Sequence, residues 1–143
     1  MTTSILPITL QAIEDDGFHI STSIEINGKK ALMIIDTGAS KSVFDENRIH
    51  EFVGHEQFEK QDKLSTGLGT NSMESKTVNI DSLILKEIEV KNYKATLLNL
   101  HHVNLSYEKL NLAPIDGIIG GDILTDFNAV INYQKKELIL TKK

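Results

Sequence analysis

The segment Ala31-Leu32-Met33-Ile34-Ile35-Asp36-Thr37-Gly38-Ala39-Ser40 sets the first constraint. Five apolar residues run directly into an acid, and the chain then turns through small residues. An apolar run of this length, bounded by turn residues, predicts a buried strand. At the end of such a strand an unpaired carboxylate costs several kcal/mol. No Lys, Arg or His stands in the four positions after Asp36, so the charge must be held by something other than a neighbouring cation.

The flanking sequence predicts more strands. Phe18-His19-Ile20-Ser21-Thr22-Ser23-Ile24-Glu25-Ile26 alternates, with Phe18, Ile20, Thr22, Ile24 and Ile26 on one face, the period of a half-buried strand. Asn27-Gly28 is a two-residue hairpin signal that pairs this strand with 31–36. Residues 8–13 read as a strand closed by the turn cluster 14–17, and Asp45 as the N-cap of a helical turn towards Phe52. Residues 65–72 (STGLGTNS) are small and glycine-rich, with flanks able to pair as an exposed hairpin. Strands are expected at 78–85 and 93–100, then a loop over 101–114 with one helical turn at Ser106–Leu110. A short strand at Ile118-Ile119, a helix N-capped by Gly121 or Asp122, and a hairpin of 129–133 with 138–142 complete the chain. The expectation is an all-β protein, with a closed or barrel-like sheet and one or two short helices.

Composition narrows the function classes. A chain of 143 residues with 40% hydrophobic and 24% charged residues fits a single domain spanning 1–143. Its net charge of −5 comes from scattered acids, which is no footprint for nucleic acid or an anionic membrane. The absence of cysteine excludes disulfides and thiolate metal sites. No apolar run reaches the roughly 18 residues of a membrane span. The N-terminus lacks a basic region followed by a long apolar core, so a cytoplasmic protein without a signal peptide is expected. His101-His102 point apart on a strand or loop and have no third ligand in reach, so no metal and no cofactor is expected. Asp116-Gly117 reads as a turn, and residues 134–137 (QKKE) as a charged hairpin tip.

Three chemistries use an aspartate at the end of a buried strand. Aspartyl-phosphate formation of the haloacid dehalogenase type needs a second Asp where this chain has Gly38, and the actin-like ATPase fold needs two βαβ-rich halves. Acid proteolysis needs a base to activate water and an acid to protonate the leaving group. Two adjacent carboxylates sharing one proton supply both, so a second aspartate takes the place of the missing cation. Backbone N–H groups of Thr37-Gly38-Ala39 can add support, with Gly38 allowing close approach.

Ile34-Ile35-Asp36-Thr37-Gly38-Ala39-Ser40 resembles the active-site motif of retropepsin-like aspartic proteases, the single-domain, retroviral-type family, here in a bacterial-type form. Gly67-Leu68-Gly69 falls where that family has a glycine-rich flap, and residues 116–124 (DGIIGGDIL) resemble its second signature, two hydrophobic residues and a glycine before a helix. The resemblance implies that Asp36 is catalytic, that the Thr37 hydroxyl braces the loop against a partner loop, and that Gly38 and Ala39 shape it. It also implies that Ile118, Ile119 and Gly120 pack behind the loop. Ala39 with Thr66, Gly67, Leu68 and Gly69 would touch an extended peptide or protein substrate. Since the chain holds one Asp-Thr-Gly, the second carboxylate would come from a second copy in a homodimer. Two features depart from the family: the tip at 65–72 lacks an aromatic or paired-glycine signature, and the hairpin 129–141 follows the helix, where viral enzymes end sooner. A catalytically silent member that binds peptide or dimerises is the rival expectation.

Overall fold

Positive φ at both Asn27 (50°) and Gly28 (83°) turns the chain back on itself with the hand that suits twisted strands. The structure is a computed structural model and describes residues 1–13, 17–54, 58–59 and 76–143. Its strands are β1 (Thr2–Pro7), β2 (Thr9–Ala12), β3 (Phe18–Ile26), β4 (Lys29–Ile35), β5 (Val43–Asp45) and β6 (Phe58–Glu59). They continue with β7 (Lys76–Leu85), β8 (Ile88–Leu98), β9 (Gly117–Ile119), β10 (Val130–Asn132) and β11 (Glu137–Lys142). Helices α1 (His101–Lys109) and α2 (Gly121–Asp126) flank β9, and a short 3-10 turn covers Ile49–Glu51.

The Asn27-Gly28 hairpin pairs β3 with β4 from Ile26↔Lys29 to Ile20↔Ile35. From β4 the sheet runs through β9, β5, β8 and β7, and β7 returns to β3 at Glu25↔Ile84 and Ile26↔Leu83. That closes a six-stranded barrel. The other half of β3's free edge is taken by β2, from Thr9↔Ser21 to Ala12↔Phe18. Closure removes the unpaired edges that a sheet of this length would otherwise expose.

The barrel is filled by aliphatic side chains: Ile20, Ile24, Ile26, Met33, Ile35, Ile80, Leu83 and Leu85, with Phe44 fully buried among them. The predicted alternation of β3 holds for Ile20, Thr22, Ile24 and Ile26, and the buried Thr22 hydroxyl donates to Pro7 O at 2.8 Å. Phe18 departs from it. It stands at the start of β3 and remains 63% exposed. On the outer side of β4, Ile34 packs with Leu100, Tyr107 and Ile115 in a second cluster that α1 covers.

Four local expectations need correction. His101–Lys109 is a nine-residue helix and not a loop with one turn. His, Asn and Ser weaken its intrinsic propensity, but burial of Tyr107 and Leu100, with Val103 beside them, overrides that preference. Asp45 is no N-cap. It ends β5, and its carboxylate accepts from Asn47 N and Nδ2 (both 3.1 Å), Leu100 N (3.2 Å) and Asn104 Nδ2 (3.1 Å), which ties the β5 end to α1. The N-cap of α2 is Gly120, without a side-chain cap. Asp116-Gly117 is not a turn: Gly117 opens β9, and Asp116 is buried.

Residues 2–7, which carry too short an alternation to stand out, form β1 along β11 from Thr2↔Lys142 to Pro7↔Glu137. Buried Ser4 donates to Leu85 O (2.7 Å) and accepts from Glu87 N (2.8 Å), which seats this strand on the barrel. With β10 on the far side of β11, the predicted terminal hairpin becomes a three-stranded sheet. Pro7 is tolerated because β1 is an edge strand. Among the described residues, no helix is long and apolar enough to cross a membrane.

Candidate active site

β4 and β9 lie side by side in parallel, Ile34 opposite Ile118 and Ile35 opposite Ile119. The pairing continues for one more hydrogen bond, Asp36 N to Ile119 O at 2.9 Å, so Asp36 leaves the barrel from a fixed point. The chain then turns tightly. Ala39 N donates to Asp36 O (3.1 Å), and Gly38 N donates to the Asp36 carboxylate Oδ1 (2.9 Å). This is the one backbone donor of the predicted turn that reaches that carboxylate, because the Ala39 N–H is spent on the main chain.

Residues 39–42 are fastened to the start of α2. Gly121 N donates to Ala39 O (2.7 Å) and Asp122 N to Ser40 O (3.2 Å). The Asp122 Oδ1 accepts from Ser42 N (2.8 Å) and Ser42 Oγ (2.6 Å), while Ser42 Oγ accepts from Gly120 N (2.8 Å). A Cβ on Gly120 would stand 2.7 Å from Ala39 O and 2.8 Å from the Lys41 carbonyl, so only glycine permits this approach. Ile118, Ile119 and Gly120 therefore do lie behind the loop, as the sequence pattern implied. Ser42 was not singled out from the sequence, and Asp122 was read only as a candidate N-cap. Their pairing joins residues 80 apart in the chain at the ends of the neighbouring strands β5 and β9, and the local cues were only a second serine after Gly-Ala-Ser and an acid after Gly-Gly.

Asp36, Thr37 and Gly38 are exposed and Ala39 is half-buried, so the strand is buried but its terminal acid is not. The burial cost that the sequence raised therefore does not fall on Asp36 within one chain. Asp36 and Thr37 open into a cleft of about 470 Å³ whose wall includes Phe18, His19, Val103 and Tyr133. The His19 Nδ1 lies 2.7 Å from the buried Tyr107 hydroxyl. Thr66, Gly67, Leu68 and Gly69 lie outside the described residues, as does the whole segment 65–72.

Comparison with known proteins follows the same residues. A family model described as aspartyl protease matches residues 22–123, which includes both the Asp36 turn and the Ile118-Ile119-Gly120 segment. The chain belongs to the aspartyl protease family. No curated protein sequence matches it. The fold is retropepsin-like. It is similar to the crystal structure of a retropepsin-like aspartic protease from Rickettsia conorii, with a TM-score of 0.55 and 21% identity over 99% of this chain and 94% of that one. It is also similar to the retroviral protease-like domain of Ddi1 from Leishmania major, with a TM-score of 0.56 and 14% identity over 84% and 86% of the two chains.

In this member of the aspartyl protease family the other acids near the site have structural partners. Asp116 accepts from Leu32 N (2.8 Å) and from Arg48 Nε (2.7 Å), which pins the segment before β9 to β4 and to the turn after β5. Burial lowers the Arg48 guanidinium's proton affinity, but the hydrogen bond and charge of Asp116 outweigh it and leave it above the ordinary arginine value. His101 and His102 sit on α1 with ring centroids 6.3 Å apart. Among the described residues no group of three or more His, Asp or Glu could hold a metal ion.

Proposed function

We propose that the chain is an aspartic endopeptidase that hydrolyses extended peptides with a water activated between the Asp36 carboxylates of two copies. The observation that carries this reading is the intact Asp36-Thr37-Gly38 turn, hydrogen-bonded to β9, buttressed through α2 and exposed at an apolar-walled cleft. Two carboxylates brought together cannot both ionise, so the pair shares one proton. The ionised member takes a proton from water as it attacks the peptide carbonyl, and the protonated member supplies one towards the departing amine. Each titration belongs to the pair and not to either Asp36. Gly38 N, already on Asp36 Oδ1, holds the carboxylate in place. Thr37, exposed beside it, is assigned the bracing contact across a two-fold axis, and Ala39 the flank of the substrate site.

The alternative is a silent peptide-binding or dimerisation module. Among the described residues lining the cleft, Asp36 has no second acid beside it, so one copy lacks the dyad. The test is cleavage of a proteome-derived peptide library at several pH values by wild type and by Asp36→Asn. The endopeptidase reading expects cleavage at defined sites that the substitution abolishes while the fold persists. Cleavage that survives in Asp36→Asn would remove Asp36 from the chemistry, and no cleavage by either protein would leave the binding module.

A further inference from the structure

The cleft that holds Asp36 contains one more group able to donate a hydrogen bond and carry positive charge. His19 and Asp36 line the same cleft, each one residue beyond the last pair of the β3–β4 ladder, Ile20↔Ile35. His19 is exposed, and its ring is held from one side only: Nδ1 meets the Tyr107 hydroxyl at 2.7 Å, and the His19 and Tyr107 rings are stacked 6.0 Å apart at 22°. Tyr107 is buried, and burial raises its pKa, so the phenol keeps its proton.

This contact leaves three arrangements. A neutral ring either accepts the phenol O–H at Nδ1 and carries its proton on Nε2, or donates Nδ1–H to the phenol oxygen and leaves Nε2 bare; an imidazolium donates from Nδ1 and keeps Nε2–H. A carboxylate selects the arrangements with Nε2–H, and among the described residues Nε2 has no partner. The walls around it are largely apolar: Phe18, Ile34, Val103, Ile118 and Ile131. An acceptor brought there loses water, which favours a charge-assisted hydrogen bond over a neutral one.

We propose that His19 is a specificity-determining residue whose Nε2–H receives the carboxylate of an Asp or Glu side chain of the substrate, close to the scissile bond. Tyr107 is its positioning residue. The need for such a donor is sharpened by the neighbouring Asp36, whose negative charge would otherwise disfavour an acidic side chain in this cleft. The inference rests on the endopeptidase reading above, and its test is arranged to separate the two.

Matched peptides carrying Glu, Gln or Leu at each position around the cleaved bond would be compared by kcat/KM in wild type, His19→Phe, His19→Gln and Tyr107→Phe. At one position wild type should prefer Glu to Leu by about tenfold. That ratio should fall to about one or below in His19→Phe, be partly retained in His19→Gln, which keeps an N–H donor, and be reduced in Tyr107→Phe. A merely structural His19–Tyr107 contact would slow all peptides alike and leave the ratio unmoved. Absence of any Glu preference in wild type, or its survival in His19→Phe, overturns the proposal. The same peptides would be bound to uncleaving Asp36→Asn protein and read by fluorescence anisotropy. A His19-dependent Glu preference in binding without cleavage by wild type sustains the specificity assignment and sinks the peptidase reading. Cleavage without the preference does the reverse, and neither binding preference nor cleavage overturns both.

Discussion

Gly120 shows how single residues set the geometry of this site. The missing side chain lets the main chain of β9's exit touch Ala39 and Lys41, and a methyl group there would meet backbone oxygen and carbon inside 3 Å. Backbone cannot rotate aside as a side chain can. Gly120→Ala should therefore destabilise the fold by about 1–3 kcal/mol and displace the loop that carries Asp36. Urea unfolding gives the first effect. Peptide cleavage gives the second, which should exceed what the residual folded fraction explains. Ser42 acts in the same place by hydrogen bonding. Its hydroxyl joins Gly120 N to Asp122, so Ser42→Ala leaves a buried donor and an acceptor short of a partner, at a cost of about 1–3 kcal/mol by the same measurement. Tyr93 supplies a pH signature. Burial, then the charges of Asp122 and Asp126, push its phenol up to about 12 from an ordinary 10. The neutral phenol is favoured in the folded state, so its contribution is fully present below about pH 10 and is lost as pH rises towards 12. The loss is of the order of 2 kcal/mol. Unfolding free energies at pH 9 and pH 11.5 should show it in wild type and not in Tyr93→Phe.

At the scale of elements, α1 is the piece that tertiary contacts create. Asn104 clamps the Ile115 backbone in both directions, accepting from Ile115 N (2.7 Å) and donating to Ile115 O (3.1 Å), and also reaches Asp45. Asn104→Ala should cost about 2 kcal/mol and speed amide exchange across His101–Lys109 before the barrel strands are affected. Unchanged exchange in α1 would mean that its apolar face alone holds it. This helix also marks where the sequence stopped being legible. The strands β3 and β4 and their turn could be read because alternation, an apolar run and Asn-Gly all agree locally. The turn at Asp36 could be read because small residues follow the apolar run at once. What could not be read depends on distant partners. The strand β1 is defined by β11, α1 by the outer face of β4, and Asp116 by Arg48 and the Leu32 amide. The exposure of Asp36 was misjudged for a related reason: a buried strand predicts nothing about the residue that steps out of the barrel's end.

For the whole molecule, closure of the barrel brings the ends of β4 and β9 together and aims one Asp-Thr-Gly turn outward. On the proposed reading one chain presents half of a carboxylate pair, fixed from behind and open in front. A site completed by a second copy requires activity to depend on protein concentration wherever the dimer dissociates, and inactive copies to poison active ones. The most direct measurement holds wild type constant, adds increasing Asp36→Asn under conditions of subunit exchange, and follows the peptide cleavage rate. The shared-dyad account predicts a progressive fall towards zero as wild-type subunits are drawn into mixed dimers with one carboxylate. A rate unmoved by an excess of Asp36→Asn, with exchange verified by sedimentation of labelled protein, would contradict it.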